Sequence, residues 1–115
     1  MTLNEIAQKL GLEVRAGRNA LLTEVRGGYA SDLLSDVIAH ARPGDLWVTL
    51  RTHLNTVAVA SMNGLAGIVL VNGREPDAEA LEKADTENVG LLVSSLPAFE
   101  LIGRLYTMGL SGMRT

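Results

Sequence analysis

The chain has 115 residues, of which 47% are hydrophobic and 20% charged, with a net charge of −3 and a pI near 5.3. This length and composition predict one globular domain with a packed core. The absence of cysteine excludes disulfides, thiolate metal sites and cysteine nucleophiles. The lack of a clustered basic stripe argues against a nucleic-acid partner.

The sequence contains no segment typical of a membrane or exported protein. The opening segment "MTLNEIAQKL" carries Glu5 and lacks the continuous apolar region of a signal peptide. The longest apolar run, "LAGIVLV", is far shorter than the roughly 20 residues that span a bilayer. We therefore expect a soluble, cytoplasmic protein without a membrane partner.

The first predicted elements are a helix and a short strand. Thr2 is expected to cap a helix that runs through Leu10 and ends at Gly11. The segment "LEVRAG" alternates as a strand does, and a loop then leads to a second strand at about residues 25–30.

A second helix is predicted over "DLLSDVIAHA", with Ser31 or Asp32 as its cap. Pro43 and Gly44 then supply a turn. The apolar residues expected on one face of this helix are Leu33, Leu34, Val37, Ile38 and Ala41.

The second half of the chain alternates between strand and helix patterns. "LWVTL", "AGIVLV" and "GLLVSS" are predicted strands, and the last two are apolar enough to be buried on both faces. "TVAVASM" is a predicted helix that ends at Asn63 and Gly64. "REPDAEALEKAD" is a predicted helix with Pro76 in its first turn, and "PAFELIGRLYTM" is the closing helix. We expect residues from about 107 to 115 to form a frayed tail.

The alternation of strands and helices predicts an α/β fold, with a mainly parallel sheet and helices packed on its faces in a single domain over residues 1–115. In such a sheet the strand-to-helix connections emerge at one edge, and ligands bind there, usually at a switch point in strand order. Helix N-termini and arginines at that edge would favour a small anion. The predicted ligand-binding residues are Tyr29, Ser31, Arg51, Thr52, Asn72, Gly73 and Arg74.

Each of these residues also has a purely structural interpretation. Thr52 and the serines of "SSLP" fit helix caps, and Asn72-Gly73 fits a turn that needs positive φ. Arg51 and Arg74 fit surface or dimer-interface charges equally well. No connection has the spacing of a phosphate-binding glycine loop.

Catalysis has weak support in the sequence. His53 is the obvious candidate for a general base, but no acid or nucleophile is identified beside it by spacing. His40, the second imidazole, falls near the end of a different helix. The chain also lacks ligand spacings for a metal. We therefore predict that it is not an enzyme, and we predict no catalytic residue, metal or cofactor.

Three blocks together resemble one family. "GGYASDLLSDV", "THLNTVAVA" and "VNGREPD", followed by "LLVSSLPAFELIGRLY", are similar to the DRTGG domain in its small stand-alone form. The resemblance implies an α/β domain similar to the N-terminal domains of HPr kinase and Mur ligases. Larger proteins carry such domains as regulatory or dimer-forming modules, in some cases close to adenine-nucleotide sites. The Asp-Arg and Thr-Gly-Gly of the family's signature correspond to Leu50-Arg51 and Val71-Asn72-Gly73. Only Arg51 and Gly73 match it.

Two functions follow as hypotheses. The first is a non-catalytic regulatory module, homodimeric, that binds a small anionic ligand at the strand-to-helix edge, with a nucleotide as one candidate. The second is a protein-interaction or assembly subunit without a small ligand. Its partner would be a redox enzyme such as an iron hydrogenase system. The resemblance implies this, because stand-alone members of the family are similar to proteins whose genes lie near those of iron hydrogenases. Its predicted surface comprises Leu105, Tyr106, Met108 and Leu110.

Overall fold

The computed structural model describes residues 1–113 and contains one five-stranded sheet with helices on both faces. The strands are β1 (Glu13–Ala16), β2 (Gly27–Ala30), β3 (Asp45–Thr49), β4 (Gly67–Leu70) and β5 (Gly90–Val93). The helices are α1 (Leu3–Leu10), α2 (Leu34–His40), α3 (Leu54–Met62), α4 (Ala78–Glu87) and α5 (Ala98–Thr107), with a short 3-10 turn at Arg18–Ala20.

The strand order is β1-β5-β4-β3-β2, and the predicted α/β class is confirmed. Strands β2 to β5 are parallel neighbours, and β1 pairs antiparallel with β5. The carboxyl ends of the four parallel strands therefore meet at one edge, as expected. Their order does not reverse, however, so the predicted switch point is absent among the described strands.

Two apolar layers pack the sheet. On one face, α2, α3 and α4 cover Trp47, Ile68 and Leu91. On the other face, α1 and α5 cover Leu46 and Val69 together with their neighbours. Strands β3, β4 and β5 are buried along their whole length, which explains why their sequences are apolar on successive residues.

Helix α1 begins and ends where the sequence predicts. The Thr2 side chain accepts a hydrogen bond from the Glu5 backbone N–H, and the Glu5 carboxylate accepts one from the Thr2 N–H. This reciprocal capping box satisfies two N–H groups of the first turn. Gly11, with φ of 64°, ends the helix in the left-handed conformation.

The predicted start of α2 is wrong. Leu33 is the N-cap residue and makes no side-chain cap, because the Asp32 carboxylate is bound elsewhere. Leu33 and Ile38, predicted to lie on the buried face of this helix, are 64% and 48% exposed. The helix has only seven residues, so its buried face is restricted mainly to Val37, with Leu34 partly covered.

The start of α4 differs from expectation. Helix α4 begins at Ala78 with Asp77 as N-cap, so Pro76 precedes the helix instead of lying in its first turn.

The segment predicted to be a frayed tail follows α5. Leu110 packs on the α1–α5 layer, and the Ser111 carbonyl accepts a hydrogen bond from the Gly28 N–H at 3.1 Å. The last two residues of the predicted tail lie outside the described part of the chain.

Candidate functional site

A small cavity with one polar side opens where β2 and β3 end. Its volume is about 210 Å³, and Ser31, Asp32, Thr49 and Leu50 contribute its polar side. Val71 and Ala98 close it from the neighbouring connections. The cavity lies at the edge where the sequence predicts ligand binding.

Asp32 ties the first two connections together. One of its carboxylate oxygens, Oδ1, accepts a hydrogen bond from the Thr49 hydroxyl at 2.7 Å and from the Leu50 N–H at 2.9 Å. Thr49 is 3% exposed, so its hydroxyl hydrogen depends on this carboxylate for an acceptor. Asp32 thus braces the connection after β2 against the end of β3.

Arg51 lies beside this brace. Its Nη1 donates to the Asp32 carbonyl at 3.1 Å, and its own N–H donates to the Thr49 hydroxyl at 3.3 Å. Its Nε is buried without a hydrogen-bond partner. Within residues 1–113 its guanidinium forms no ion pair. Its positive charge at the carboxyl-end edge of the sheet is therefore half-buried and not paired with a carboxylate.

Ser31 is fixed by hydrogen bonds to Trp47 and to the nearby Leu33. Its carbonyl accepts a hydrogen bond from Trp47 Nε1 at 2.8 Å, and its hydroxyl accepts one from the Leu33 N–H at 3.2 Å. Trp47 is fully buried, so the connection after β2 is anchored to the core. This anchoring keeps the cavity wall in place.

Tyr29 faces away from the cavity. Its hydroxyl donates to Asp36 Oδ2 at 2.7 Å on α2. The hydrogen bond to Asp36 raises the pKa of Tyr29, and the same bond lowers the pKa of Asp36, with smaller contributions from Ser31 and His40. The phenol therefore braces β2 against α2, and it shares the Asp36 carboxylate with the Ser31 side chain.

The remaining predicted residues lie further along the edge. Asn72 and Gly73 have φ of 58° and 64°, as predicted for a turn, and donate to the carbonyls of Leu96 and Ser94. Arg74 is exposed, and the Thr52 carbonyl accepts a hydrogen bond from the Asp77 N–H. The turn after β4 lies two strand spacings, about 10 Å, from the end of β2. Arg51 donates to the carbonyl of Asp32, next to Ser31, while the residue 72–74 turn lies one strand beyond Arg51 and two strands beyond Ser31.

Asp32 and Thr49 were not among the predicted site residues. Asp32 was interpreted as a helix cap, although it directly follows a strand. Thr49 is the one polar residue in "LWVTL" and stands at the carboxyl end of that strand. A polar residue that ends an otherwise apolar strand is the sequence signal that identifies it.

A charged cluster connects the residue 72–75 turn to β1. Arg15 donates two hydrogen bonds to Glu75, at 2.7 and 2.8 Å, and its Nη2 also lies 2.8 Å from Glu13 Oε2. The hydrogen bonds from Arg15 lower the pKa of Glu75 below its ordinary 4.5. With Gly73, these side chains line a separate polar cavity of about 160 Å³.

Removal of this carboxylate should destabilise the fold in a pH-dependent way. The folded pKa of Glu75 is depressed, so its contribution is present above its unfolded pKa and is lost as the pH falls through the folded value. We expect Glu75→Gln to lower the urea midpoint at about pH 7, with a difference from wild type that shrinks as the pH drops below about 4. Glu79→Gln, at an exposed carboxylate of α4, is the control. A deficit independent of pH would contradict this expectation.

His53 caps α3. Its Nδ1 accepts a hydrogen bond from the Asn55 N–H at 3.2 Å, and the ring is exposed. The Nδ1 atom of His53 therefore has a structural role at the start of α3. His40, in turn, lies 3.0 Å from Asp36 Oδ1 through its own Nδ1.

Loss of the His53 cap should have a measurable cost. We expect His53→Ala to destabilise the protein by about 1 kcal/mol, the usual value for an N-cap acceptor, in urea unfolding at about pH 8. His53→Asn should retain most of the stability because its amide oxygen accepts the same bond. If both variants lose equal stability, the cap is not what His53 contributes.

Residues 1–113 contain no group of three His, Asp or Glu side chains close enough together to hold a metal ion. None of the described helices is long and apolar enough to cross a membrane.

Comparison with known proteins identifies the fold. No family model matches the chain, and no curated protein sequence is significantly similar to it. It is similar to a crystal structure of the CBS and DRTGG domains of the regulatory region of Clostridium perfringens pyrophosphatase, in complex with the activator diadenosine tetraphosphate. The TM-score is 0.74 with 16% identity, over 96% of this chain and 48% of that one. The chain thus spans about half of that regulatory region and is similar to it in fold.

Proposed function

We propose that the chain is a non-catalytic regulatory module that binds a small anionic ligand at its strand-to-helix edge and acts as a homodimer. The fold shared with a regulatory region supports this assignment, and that region was crystallised with a nucleotide activator. We assign the chain to the stand-alone DRTGG domains on the resemblance of its sequence blocks together with this fold. Similarity to the N-terminal domains of HPr kinase and Mur ligases is part of the same proposal.

The observation that carries the proposal is the uncompensated guanidinium of Arg51. The chain has a net charge of −3, so attraction of an anion has to be local. Arg51 is half-buried and supplies a positive charge whose only side-chain hydrogen bond within residues 1–113 runs from Nη1 to the Asp32 carbonyl, and its backbone leads into the first turn of α3. A phosphate or carboxylate beside the accessible part of the guanidinium would accept its remaining N–H donors.

The non-catalytic part of the proposal rests on the surroundings of the two imidazoles. Both rings are exposed, and the Nε2 atom of each, which a general base can use, makes no hydrogen bond within residues 1–113. A general base has to lie within hydrogen-bond reach of the group whose proton it takes.

Thermal unfolding with a panel of anions tests the proposal. At about 100 times its dissociation constant, a ligand should stabilise the fold by about 2.7 kcal/mol, which is a clear shift in Tm. We expect Arg51→Ala to abolish the shift. Arg42→Ala removes the same charge before β3, at the opposite edge of the sheet, and should leave the shift unchanged. A shift that survives in Arg51→Ala would remove this residue from the site.

A second function is favoured by the exposed face of α5. Phe99 is 92% exposed and Tyr106 is 64% exposed, and both lie on the solvent side of that helix. Exposed aromatic residues are typical of protein interfaces. The alternative is therefore an assembly subunit for a partner enzyme, such as an iron hydrogenase system. The surface differs from the predicted one, because Leu105 is buried and Met108 and Leu110 are partly covered.

Co-purification distinguishes the two functions. Phe99→Ser should release an enzyme partner without changing any anion-induced Tm shift. If the regulatory function is correct, Arg51→Ala should abolish the anion-induced Tm shift and leave any co-purifying partner bound. A partner retained equally by the wild type and Phe99→Ser would contradict this surface.

A further inference from the structure

We propose that the groove along edge strand β2 binds a nucleoside monophosphate. The base occupies an apolar cavity between β2 and α5, the ribose lies against Asp32, and the phosphate reaches Arg51. The phosphate contact rests on the proposed function, whereas the base and ribose contacts come from separate observations.

The apolar cavity has the character of a base-binding slot. Its volume is about 190 Å³, and its walls are formed by Ile102, Leu105 and Tyr106 of α5 and by Leu110 of the tail. Tyr106 lies at the rim with 64% of its surface exposed, so its ring is available to stack on a planar group. Stacking of a base on an aromatic ring contributes about 1–3 kcal/mol.

Gly28 keeps this cavity open. Its φ is not in the left-handed region, and a Cβ there would lie 3.8 Å from Leu110 Cδ2 and 3.7 Å from the Leu46 carbonyl, which are ordinary contacts. Neither the backbone conformation nor packing therefore requires glycine at this position. What the missing side chain provides is space beside β2.

The apolar cavity neighbours the cavity at the ends of β2 and β3. Ala30 and Val48 line both, so the two spaces adjoin along the same strands. Asp32 faces the polar space, and while its Oδ1 is used by Thr49 and Leu50, its other oxygen accepts no hydrogen bond within residues 1–113. That oxygen is suited to a hydroxyl donor. An acidic side chain after a parallel strand binds ribose hydroxyls in this way in other α/β folds.

The order of these chemical groups selects the ligand class. An apolar slot, a carboxylate acceptor and an unpaired guanidinium follow one another along the edge, as base, ribose and phosphate do in a nucleotide. A sugar phosphate would leave the apolar slot empty. A fatty acid would bring its carboxylate to Asp32 and be repelled.

Titration calorimetry with AMP, GMP, UMP and CMP, with the matching nucleosides and with ribose 5-phosphate, tests the proposal. At least one monophosphate should bind, and Gly28→Val, which fills the slot, should weaken it at least about tenfold, or about 1.4 kcal/mol. The same variant should leave ribose 5-phosphate unaffected. Arg51→Ala should weaken the monophosphate but not the corresponding nucleoside. Far-UV circular dichroism and Tm check that each variant is folded.

Amide chemical-shift mapping of the wild type gives a readout that needs no variant. The nucleoside should perturb Gly28, Ala30 and Tyr106, and the phosphate group should add Arg51. The proposal is overturned if no monophosphate binds, if ribose 5-phosphate binds as tightly as the nucleotide, or if the shifts lie away from β2 and α5. Binding of ribose 5-phosphate that depends on Arg51 but gains nothing from a base would retain the proposed function alone.

Discussion

Gly17→Ala should destabilise the protein by about 3 kcal/mol or more, although it adds a single methyl group. Gly17 has φ of 71° and is buried between β1 and the short turn that follows it. An added Cβ would overlap the Val89 carbonyl and lie 2.9 Å from the Gly90 N–H. Both groups are backbone at the start of β5, so neither can rotate away. The backbone of β1 or β5 would have to move, which disturbs their pairing.

A second glycine separates conformational strain from overlap. Gly11 has φ of 64°, and a Cβ there would meet no atom within 4 Å. Gly11→Ala therefore introduces the left-handed strain alone and should lose about 1–2 kcal/mol. Urea unfolding of both variants measures the difference. Equal losses would show that the close approach to Val89 does not constrain the fold.

The fold was largely predictable because its signals are local. Helix α1 is specified by Thr2, Glu5 and Gly11, which lie within or next to its own turns. The buried strands β4 and β5 are specified by runs of apolar residues. Strand β1 was predicted from "LEVRAG", but its antiparallel pairing with β5 at the edge and the strand order were not, because pairing between distant segments leaves little trace in either segment alone.

The candidate site was only partly predictable for a related reason. Asp32 has the residue type of a helix cap, and nothing adjacent in sequence indicates that its carboxylate binds Thr49, 17 residues later. His53, by contrast, is a cap although histidine is not a preferred one. Capping side chains compete between the helix and partners in the tertiary structure, and the sequence does not determine which contact forms.

The same substitution at two buried threonines should have opposite effects. Thr49 and Thr56 are 3% and 1% exposed, and valine has nearly the shape of threonine. The Thr49 hydroxyl donates to Asp32 and accepts from the Arg51 N–H, whereas the Thr56 hydroxyl has no hydrogen-bond partner. Thr49→Val should lose about 1.5–3 kcal/mol because it removes a bond to a charged group. Thr56→Val should be neutral or stabilise by about 1 kcal/mol, since it removes a buried hydroxyl that is unsatisfied.

Urea midpoints of the two variants give the sign, and hydrogen exchange locates the cause. In Thr49→Val the Arg51 amide loses its acceptor, so it should exchange faster than in the wild type, and any ligand shift that depends on Arg51 should weaken. In Thr56→Val the exchange of this amide should not change. If both variants lose similar stability, the contact with Asp32 is not what stabilises this edge. The ordered cavity wall would then have to depend on Trp47 and its bond to the Ser31 carbonyl.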